Sequence, residues 1–331
     1  VPMSNAKPKL DVVVSAIVDV TDEIKRFEFQ RRDGQDFPPF SGGAHVVVEM
    51  DDDGTRRLNP YSLMSNPADT STYAISVRRD DVGRGGSLFL HKKLKQGDTL
   101  QLSMPSNLFS LDRTATKHLM VAGGIGITPF LSQIKQLKAQ KGRLGTAGKA
   151  DFELHYFTRE RAKTAYLDDL TDDALVSLTT YFDNEDPDRD LTGVMARQPL
   201  GTHLYVCGPK PMIDIVIDQA RSVGWPEENI HHEEFVAPQP GKPFTVELSV
   251  SGLTVNVGER QSLLEAIEEA GVDAPYMCRG GACGQCETKI VACDGDIEHN
   301  DHWLTDEQRA NKEAIMPCMS RFSGNKLVLE R

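Results

Sequence analysis

Three patterns of apolar and polar positions follow one another along the chain. To about residue 113 the apolar residues come in short β-branched or alternating runs, at 11–18, 44–49, 72–78 and 99–103. Runs of this kind read as strands, and the Pro38-Pro39 and Gly42-Gly43 clusters read as the turns between them. Strands at such spacing predict a small antiparallel β-barrel over residues 1–113. From 114 to 236 the pattern changes. The continuous apolar run 117–122 reads as a buried strand that breaks at Gly123-Gly124. A helix should follow, with Thr128 as N-cap, Pro129 at the first helical position, and Phe130, Leu131, Ile134 and Leu137 along one face. Strand patterns at 152–157, 178–182 and 203–207 alternate with helical segments such as 211–223, and a strand over 229–235 closes the block at Phe235. That alternation predicts an α/β domain with a parallel sheet and crossover helices.

Residues 237–243, Ala-Pro-Gln-Pro-Gly-Lys-Pro, read as a semi-rigid linker. The last block, 244–331, opens on a hairpin pattern at 245–250 and 253–257 around Ser251-Gly252. A helix is expected over 262–270, with Ser262 and Glu265 as a capping box and Gly271 as its stop. The expected fold is therefore multidomain: an antiparallel barrel, a parallel α/β sheet and a smaller α+β domain.

Composition adds exclusions. Apolar residues at 39% and charged residues at 26% are those of an ordinary globular protein. No run approaches the roughly 18 to 20 apolar residues of a membrane span, so no membrane-embedded function is expected. The opening Val1-Pro2-Met3-Ser4-Asn5 lacks the layout of a secretory leader, and Met3 reads as the natural start. Lys plus Arg total 37 against 49 Asp plus Glu, a net −12, which argues against nucleic-acid binding. Six cysteines are too sparse for a disulfide-stapled scaffold, so a cytoplasmic, monomeric protein is expected.

Four of those cysteines carry the strongest chemical signal. Cys278-x4-Cys283-x2-Cys286 is followed after 31 residues by Cys318, the plant-type spacing for a 2Fe–2S cluster. Such a cluster needs two thiolates per iron from a loop that wraps closely, and Gly280, Gly281 and Gly284 suit that wrap. A zinc site would favour paired C-x2-C hooks or histidine partners, and only one C-x2-C is present. Four unrelated buried thiols are the other alternative, against which the placement of the glycines favours the cluster; Cys293, outside the spacing, reads as a small core residue. From Phe244 onward 15 acids face 8 bases, a net −7 that would steer a basic redox partner or simply confer solubility.

A second signal is Gly123-Gly124-Ile125-Gly126-Ile127-Thr128-Pro129, between a strand and a helix. Glycines there let a diphosphate approach a helix N-terminus. Pro129 stands where the third glycine of G-x-G-x-x-G would be, so a simple tight turn is an equal reading. Cys207-Gly208-Pro209-Lys210-Pro211-Met212 is a second strand-to-helix turn. In an open parallel sheet both belong at the carboxyl ends of strands, where ligands bind.

The ordered set Tyr61-Ser62-Leu63, Gly83-Arg84-Gly85-Gly86-Ser87, the turns at 123–129 and 207–212, Phe235 and the C-terminal cysteines resembles the phthalate dioxygenase reductase family, the single-chain reductases of Rieske oxygenases. The resemblance spans nearly the whole chain. It implies an FMN-binding barrel over 1–113, an NAD(H) domain over 114–236 and a plant-type 2Fe–2S ferredoxin domain over 244–331. Tyr61 and Ser62 would lie against the isoalloxazine, while Ser76, Val77 and Arg78, with Arg84, Gly85, Gly86 and Ser87, would hold the ribityl phosphate. A dianionic phosphate suits an arginine, free N–H groups and a hydroxyl, and a helix from Ser87 to Lys93 would add its dipole. Thr128 and Phe235 would sit near the flavin. Gly123, Gly124, Gly126, Thr128, Gly208, Pro209 and Met212 would line the NAD site, with Cys207 beside the nicotinamide. One position departs from the family: Asn59 stands where an arginine is usual, leaving Arg84 and Arg57 to compensate.

Stoichiometry supplies the expected chemistry. A nicotinamide releases two electrons together, a 2Fe–2S cluster takes one, and a flavin mediates between them. The function implied is NADH-dependent electron transfer through FMN and 2Fe–2S to a terminal Rieske-type oxygenase in a transient complex, with no catalytic acid or base. NADPH would want a basic pocket, for which Arg159, Arg161 and Lys163 are candidates, although solvated surface charge is the plainer reading. A non-catalytic iron–sulfur carrier and a zinc-binding interaction module remain as alternatives.

Overall fold

The computed structural model describes residues 8–144, 151–173, 176–185 and 190–331. Packing separates Pro8–Phe235 from a second unit containing Val236–Arg331.

The first unit begins with β1 (Lys9–Asp19), β2 (Ile24–Arg31), β3 (His45–Asp52), β4 (Thr55–Ser62), β5 (Tyr73–Arg78), a short helix α1 (Gly86–Lys92) and β6 (Thr99–Ser103). These strands form an antiparallel half-barrel in the order β4-β3-β6-β1-β2-β5. Period-two alternation puts Val12, Val14, Phe27, Phe29, Val46, Val48 and Val77 into one buried core, which Leu90 of α1 closes. Each of the four runs read as strands falls largely within an observed strand. Strands β2 and β4 were not anticipated. Strand β4 carries Arg56, Arg57, Asn59 and Pro60, a poor strand composition, and forms because it lies at the sheet edge, where proline costs no ladder bond.

The second half of this unit is a wholly parallel sheet. It comprises β7 (Lys117–Gly123), α2 (Thr128–Leu144), β8 (Asp151–Thr158), α3 (Leu167–Thr171), β9 (Ser177–Phe182), α4 (Thr192–Met195), β10 (Thr202–Cys207), α5 (Lys210–Ser222) and β11 (Ile230–Glu233). The strand order is β11-β10-β7-β8-β9. Strand β7 is buried on both faces: Met120 and Ala122 pack with Phe130 and Ile134 of α2, whereas Leu119 and Val121 pack with Ile213 and Val216 of α5. Two expectations need correction. Thr128 is not an N-cap, because a 3-10 turn over Gly124–Ile127 runs straight into α2; Thr128 is already helical (φ −59°) and its hydroxyl donates to the Ile125 carbonyl at 3.0 Å. The last strand ends at Glu233, since its parallel pairing with β10 runs out at Cys207, so Phe235 lies beyond it.

Helix α2 also ties this sheet to the half-barrel. Gly42 N–H donates to the Gln136 side chain (2.6 Å), Gly43 N–H to the Ser132 hydroxyl (3.0 Å), and the Gln133 amide to the Phe109 carbonyl (2.6 Å). A Cβ at Gly43 would lie 2.2 Å from that carbonyl oxygen, so glycine is demanded there. Met64 and Ala74 of the half-barrel share one core with Ile127 and Phe130.

The second unit holds β12 (Phe244–Leu248), β13 (Leu253–Val257), α6 (Leu263–Glu269), β14 (Thr288–Glu298), α7 (Asp306–Ala310), β15 (Ala314–Ile315) and β16 (Arg321–Leu329). The sheet order is β13-β12-β16-β14-β15, with α6 packed over the β12–β13 hairpin. The capping box at Ser262 and Glu265 forms, and Gly271 ends the helix at φ +77°. Buried Arg321 donates to the carbonyls of Gly241, Lys242, Gly258 and Gln261, fastening residues of the 237–243 stretch to this sheet. Among the described residues, no helix is long and apolar enough to cross a membrane.

Candidate functional site

In the parallel sheet the chain proceeds from β7 to β8 and β9 on one side, and returns to β10 and β11 on the other. The crevice between β7 and β10 is thus the topological switch point, where such sheets bind ligands. Both strand-to-helix turns meet there. A Cβ at Gly126 would lie 2.2 Å from the Cys207 carbonyl oxygen, and one at Gly208 would lie 3.0 Å from Gly123 Cα. Met212 and Pro209 close on Gly123 from the other side, at 2.7 and 2.9 Å from where its Cβ would be. Gly124 adopts φ +53° with open space around it, leaving the mouth of the turn free. Cys207 is fully buried; burial, with the Glu233 carboxylate adding, pushes its thiol well above the ordinary range. It therefore presents a neutral thiol, not a nucleophile. Strand β5 of the half-barrel lies against the Gly124–Ile127 turn, so the β5 backbone borders this crevice.

On the half-barrel, Arg57, Asn59 and Tyr61 alternate onto one face of β4. Gly85, at φ +98°, precedes α1; a Cβ there would sit 3.0 Å from the Arg57 guanidinium carbon, and one at Gly86 would sit 2.7 Å from the Asn59 amide nitrogen. Arg57 also donates to the Arg84 carbonyl and pairs with Asp52 at 2.8 Å. The Tyr61 hydroxyl is buried beside the Asn59 side chain with no well-formed hydrogen-bond partner among the described residues, and burial raises its pKa. Helix α1 begins at Gly86, not Ser87, and the Ser87 hydroxyl is engaged with the Asp80 backbone (3.0 and 3.3 Å). Ser76 is turned inward, its hydroxyl hydrogen-bonded to Tyr166 and 3.1 Å from the Met64 sulfur, while Val77 joins the barrel core and Arg78 faces solvent. What β5 offers a ligand near Ser76 is backbone. Ser62 is buried at the end of β4, and Thr128 is buried at the start of α2. Phe235 is 47% exposed and belongs to none of the packed clusters.

The cysteines of the second unit form two pairs. Cys278 hydrogen-bonds Cys283, and Cys286 hydrogen-bonds Cys318. The hydrogen bond within each pair is the first cause that lowers Cys283 and Cys286 and raises Cys278 and Cys318. Backbone N–H groups point at the sulfurs: Gly280 N lies 3.3 Å from Cys278 Sγ, and the amides of Ala282, Gln285 and Gly281 serve Cys278, Cys283 and Cys318. No three ligating side chains converge on a single ion among the described residues. Two thiol pairs suit two irons, two sulfurs each, better than one tetrahedral zinc. The glycine expectation needs refinement. Gly281 (φ +74°) and Gly284 (φ +72°) are demanded, since Cβ atoms there would lie 2.9 Å from Asp301 Cα and 2.2 Å from the Trp303 ring. Gly280 has room for a side chain. Cys293 lies apart, half-buried on β14.

Residues 103–230 match the family described as the dimethylamine monooxygenase subunit DmmA-like N-terminal domain, and residues 246–323 match the 2Fe-2S iron-sulfur cluster binding domain. The carnitine monooxygenase reductase subunit of Acinetobacter baumannii is 44% identical, covering 96% of either chain. The heme-dependent oxidative N-demethylase beta subunit of Ectopseudomonas mendocina is 43% identical, covering 97% of this chain and 98% of its own. Among solved structures, phthalate dioxygenase reductase, described as a modular structure for electron transfer from pyridine nucleotides to [2Fe-2S], superposes with a TM-score of 0.85 at 34% identity, covering 98% of each chain. The chain belongs to the phthalate dioxygenase reductase family. It is an oxidoreductase with an antiparallel half-barrel, a parallel α/β sheet and a 2Fe–2S ferredoxin domain.

Several residues around the sites of this phthalate dioxygenase reductase homologue escape sequence reading. Tyr166, 90 residues from Ser76, carries no local signal of their contact. Arg279 adopts a left-handed conformation (φ 51°), is nearly fully buried, pairs with Glu268 and stacks 3.8 Å over the Tyr276 ring, bracing the loop next to Cys278. The place of Arg57 also escaped: β4 has a poor strand composition, and only once it is formed does two-residue alternation put Arg57 in line with Asn59 and Tyr61.

Proposed function

We propose that this protein is the reductase component of a multicomponent Rieske-type oxygenase, drawing electrons from NADH through FMN and its own 2Fe–2S cluster and delivering them to a terminal oxygenase. The observation that carries this reading is the meeting of the 123–129 and 207–212 turns at the switch point of a sheet bordered by β5, on a chain that also holds two pre-paired thiol couples. Bound FMN supplies the exchange between a two-electron donor and a one-electron acceptor.

The chain's residues fit that cofactor. The Tyr61 hydroxyl, buried beside Asn59 with no well-formed hydrogen-bond partner among the described residues, offers a polar contact, and the Gly85–Gly86 turn stands directly against the Arg57 guanidinium and the Asn59 amide, donors suited to a phosphate. Asn59 and Arg57 lie beneath that turn, which also holds Arg84, with the β5 backbone at Ser76, Val77 and Arg78 alongside. Arg57 thus provides the positive charge that Asn59 lacks. Ser62, Thr128 and Phe235 are assigned to the flavin surroundings, and Gly123, Gly124, Gly126, Cys207, Gly208, Pro209 and Met212 to NADH. Cys278, Cys283, Cys286 and Cys318 are assigned to the cluster. The functional division is 1–113 for flavin, 114–236 for nucleotide, 237–243 as linker and 244–331 for the cluster. NADH is favoured over NADPH because two of the three candidate bases, Arg159, Arg161 and Lys163, are engaged: Arg161 with the Phe182 ring (4.5 Å) and Glu185 (3.9 Å), and Lys163 with Glu160 (2.8 Å). We assign the protein to the cytoplasm, as a monomer in transient complex with its oxygenase; six cysteines, none of them disulfide-bonded, suit a reducing compartment. The 43% identity to a heme-dependent N-demethylase subunit supports a haem oxygenase as the second reading of the partner.

The test is an anaerobic visible spectrum of the purified protein. Bands of both a flavin and an iron–sulfur centre are expected, bleached by NADH within seconds and by NADPH far more slowly. A colourless protein, or one that NADH leaves unbleached, overturns the reading. A second measurement concerns Arg57. A charge-assisted hydrogen bond contributes about 1.5–3 kcal/mol, so Arg57→Ala should raise the dissociation constant for FMN at least about tenfold in a fluorescence titration. Unchanged affinity would remove Arg57 from the phosphate site.

A further inference from the structure

Trp303 is the one tryptophan of the second unit, and it is 49% exposed. Its ring lies directly on the cluster-binding loop: a Cβ at Gly284, between Cys283 and Cys286, would sit 2.2 Å from ring atom Cε2. The indole Nε1 donates to the Glu287 carboxylate at 2.8 Å. The chain around it is braced by buried Asp301, whose carboxylate accepts from the N–H groups of Trp303 (3.2 Å) and Leu304 (2.9 Å) and pairs with Arg309. The His302 N–H donates to the Gly281 carbonyl at 3.0 Å, tying the same turn to the other demanded glycine. The solvent-facing side of this large apolar ring is therefore held rigidly, not left loose.

Burying that ring inward would have been the cheaper solution for stability alone, since a half-exposed tryptophan forfeits much of its apolar burial. Acids rim it. Glu287 is exposed beside the ring, and Asp306 and Glu307 open α7 three and four residues further on, both exposed. Arg309 pairs with buried Asp301 and reaches exposed Asp306 only at 4.0 Å, and Arg331 donates to Thr288 and the Glu287 carbonyl. The surface over the cluster loop is thus an aromatic anchor within a negative rim. Anchors of this kind dominate binding energy, whereas rim charges govern steering and encounter rate.

We infer that Trp303, with Glu287, Asp306 and Glu307, forms the face on which the electron acceptor docks, and that the acceptor presents an apolar recess edged by lysine or arginine. The inference rests on the reading of the chain as a reductase and specifies the acceptor's chemistry. Trp303 is a docking residue here, not a catalytic one: its indole packs on Gly284 and donates to Glu287.

The test uses the full-length holoprotein and cytochrome c, a basic redox protein, as the probe acceptor, with ferricyanide as a small anionic acceptor that needs no docking. Rates are normalised to iron content. Trp303→Ala should lower the ratio of the kcat/KM for cytochrome c to the ferricyanide rate by at least about tenfold, and weaken cytochrome c binding in calorimetry to match. The double variant Asp306→Asn, Glu307→Gln should lower the same ratio a few-fold at low salt and flatten its dependence on ionic strength. Glu259→Gln, an exposed acid between β13 and α6, should change neither by as much. If Trp303→Ala and the charge variant both keep the wild-type ratio and salt dependence while NADH still bleaches the cluster, the docking face is refuted and the reductase reading stands. If the wild-type cluster is not bleached by NADH, the reductase reading itself fails.

Discussion

Cys286→Ser should abolish electron delivery beyond the flavin while sparing the flavin's own reduction by NADH. Cys286 is buried, its thiol is paired with Cys318, and it closes the turn that Gly284 and Trp303 shape. Replacing it leaves Cys318 without its partner and removes one of the two thiolates assigned to one iron. Changes in the shell around metal ligands already cost about 10- to 100-fold in affinity, and loss of a ligand itself should cost more. The expected outcome is a protein that retains flavin absorbance, has lost most of its iron and labile sulfide, and reduces cytochrome c at under roughly a hundredth of the wild-type rate. Its NADH–ferricyanide rate should stay within about twofold, since that acceptor can draw on the first unit alone. A variant that keeps its full iron content and cytochrome c rate would remove Cys286 from the cluster.

The second large effect is expected at the switch point. Gly126→Ala would place a methyl 2.2 Å from the Cys207 carbonyl oxygen and 2.6 Å from its carbonyl carbon. Both are backbone atoms of a central strand, so no side-chain rotation relieves the clash, and the two turns must separate. Overpacking of this sort costs about 1–3 kcal/mol or more in stability. A displacement of about 1 Å in a positioning element can cost a hundredfold in turnover efficiency. We therefore expect the kcat/KM for NADH to fall by roughly two orders of magnitude, with FMN content unchanged. Gly124→Ala is the informative comparison. Its Cβ would meet nothing within 4 Å, and only its φ of +53° is strained. It should cost about 1–2 kcal/mol and much less activity. Equal losses in the two variants would show that glycine flexibility, not the close approach to Cys207, is what the turn requires.

The limits of reading this chain are instructive where they fall on particular residues. Strands β1, β3 and β6–β10 declare themselves because their burial follows a two-residue or continuous apolar pattern that local composition cannot disguise. Strand β4 does not, because its proline and arginines are tolerated only by its place at the sheet edge. Thr128 has the composition of a cap, yet the 3-10 turn before it carries the helical path back to Gly124. Ser87 and Ser76 look like phosphate-site hydroxyls, but Asp80 and Tyr166 engage them. For β4 and Ser76 the deciding partner is distant in sequence, whereas for Thr128 and Ser87 it is a local turn whose geometry composition does not reveal.

By itself the amino-acid sequence determined the order of the three structural blocks, the cluster chemistry and the glycine-rich strand-to-helix turn after β7. Those features are largely local: strand periodicity spans a few residues, and three of the four cluster cysteines lie with their glycines within residues 278–286. Tertiary structure alone decided that Gly126 meets Cys207, 81 positions later, that Arg57 lies beneath Gly85, and that Trp303 rests on Gly284. Such contacts arise from strand order and from the packing of loops at sheet ends. No local pattern encodes them, because the energy that selects them is shared across the whole core.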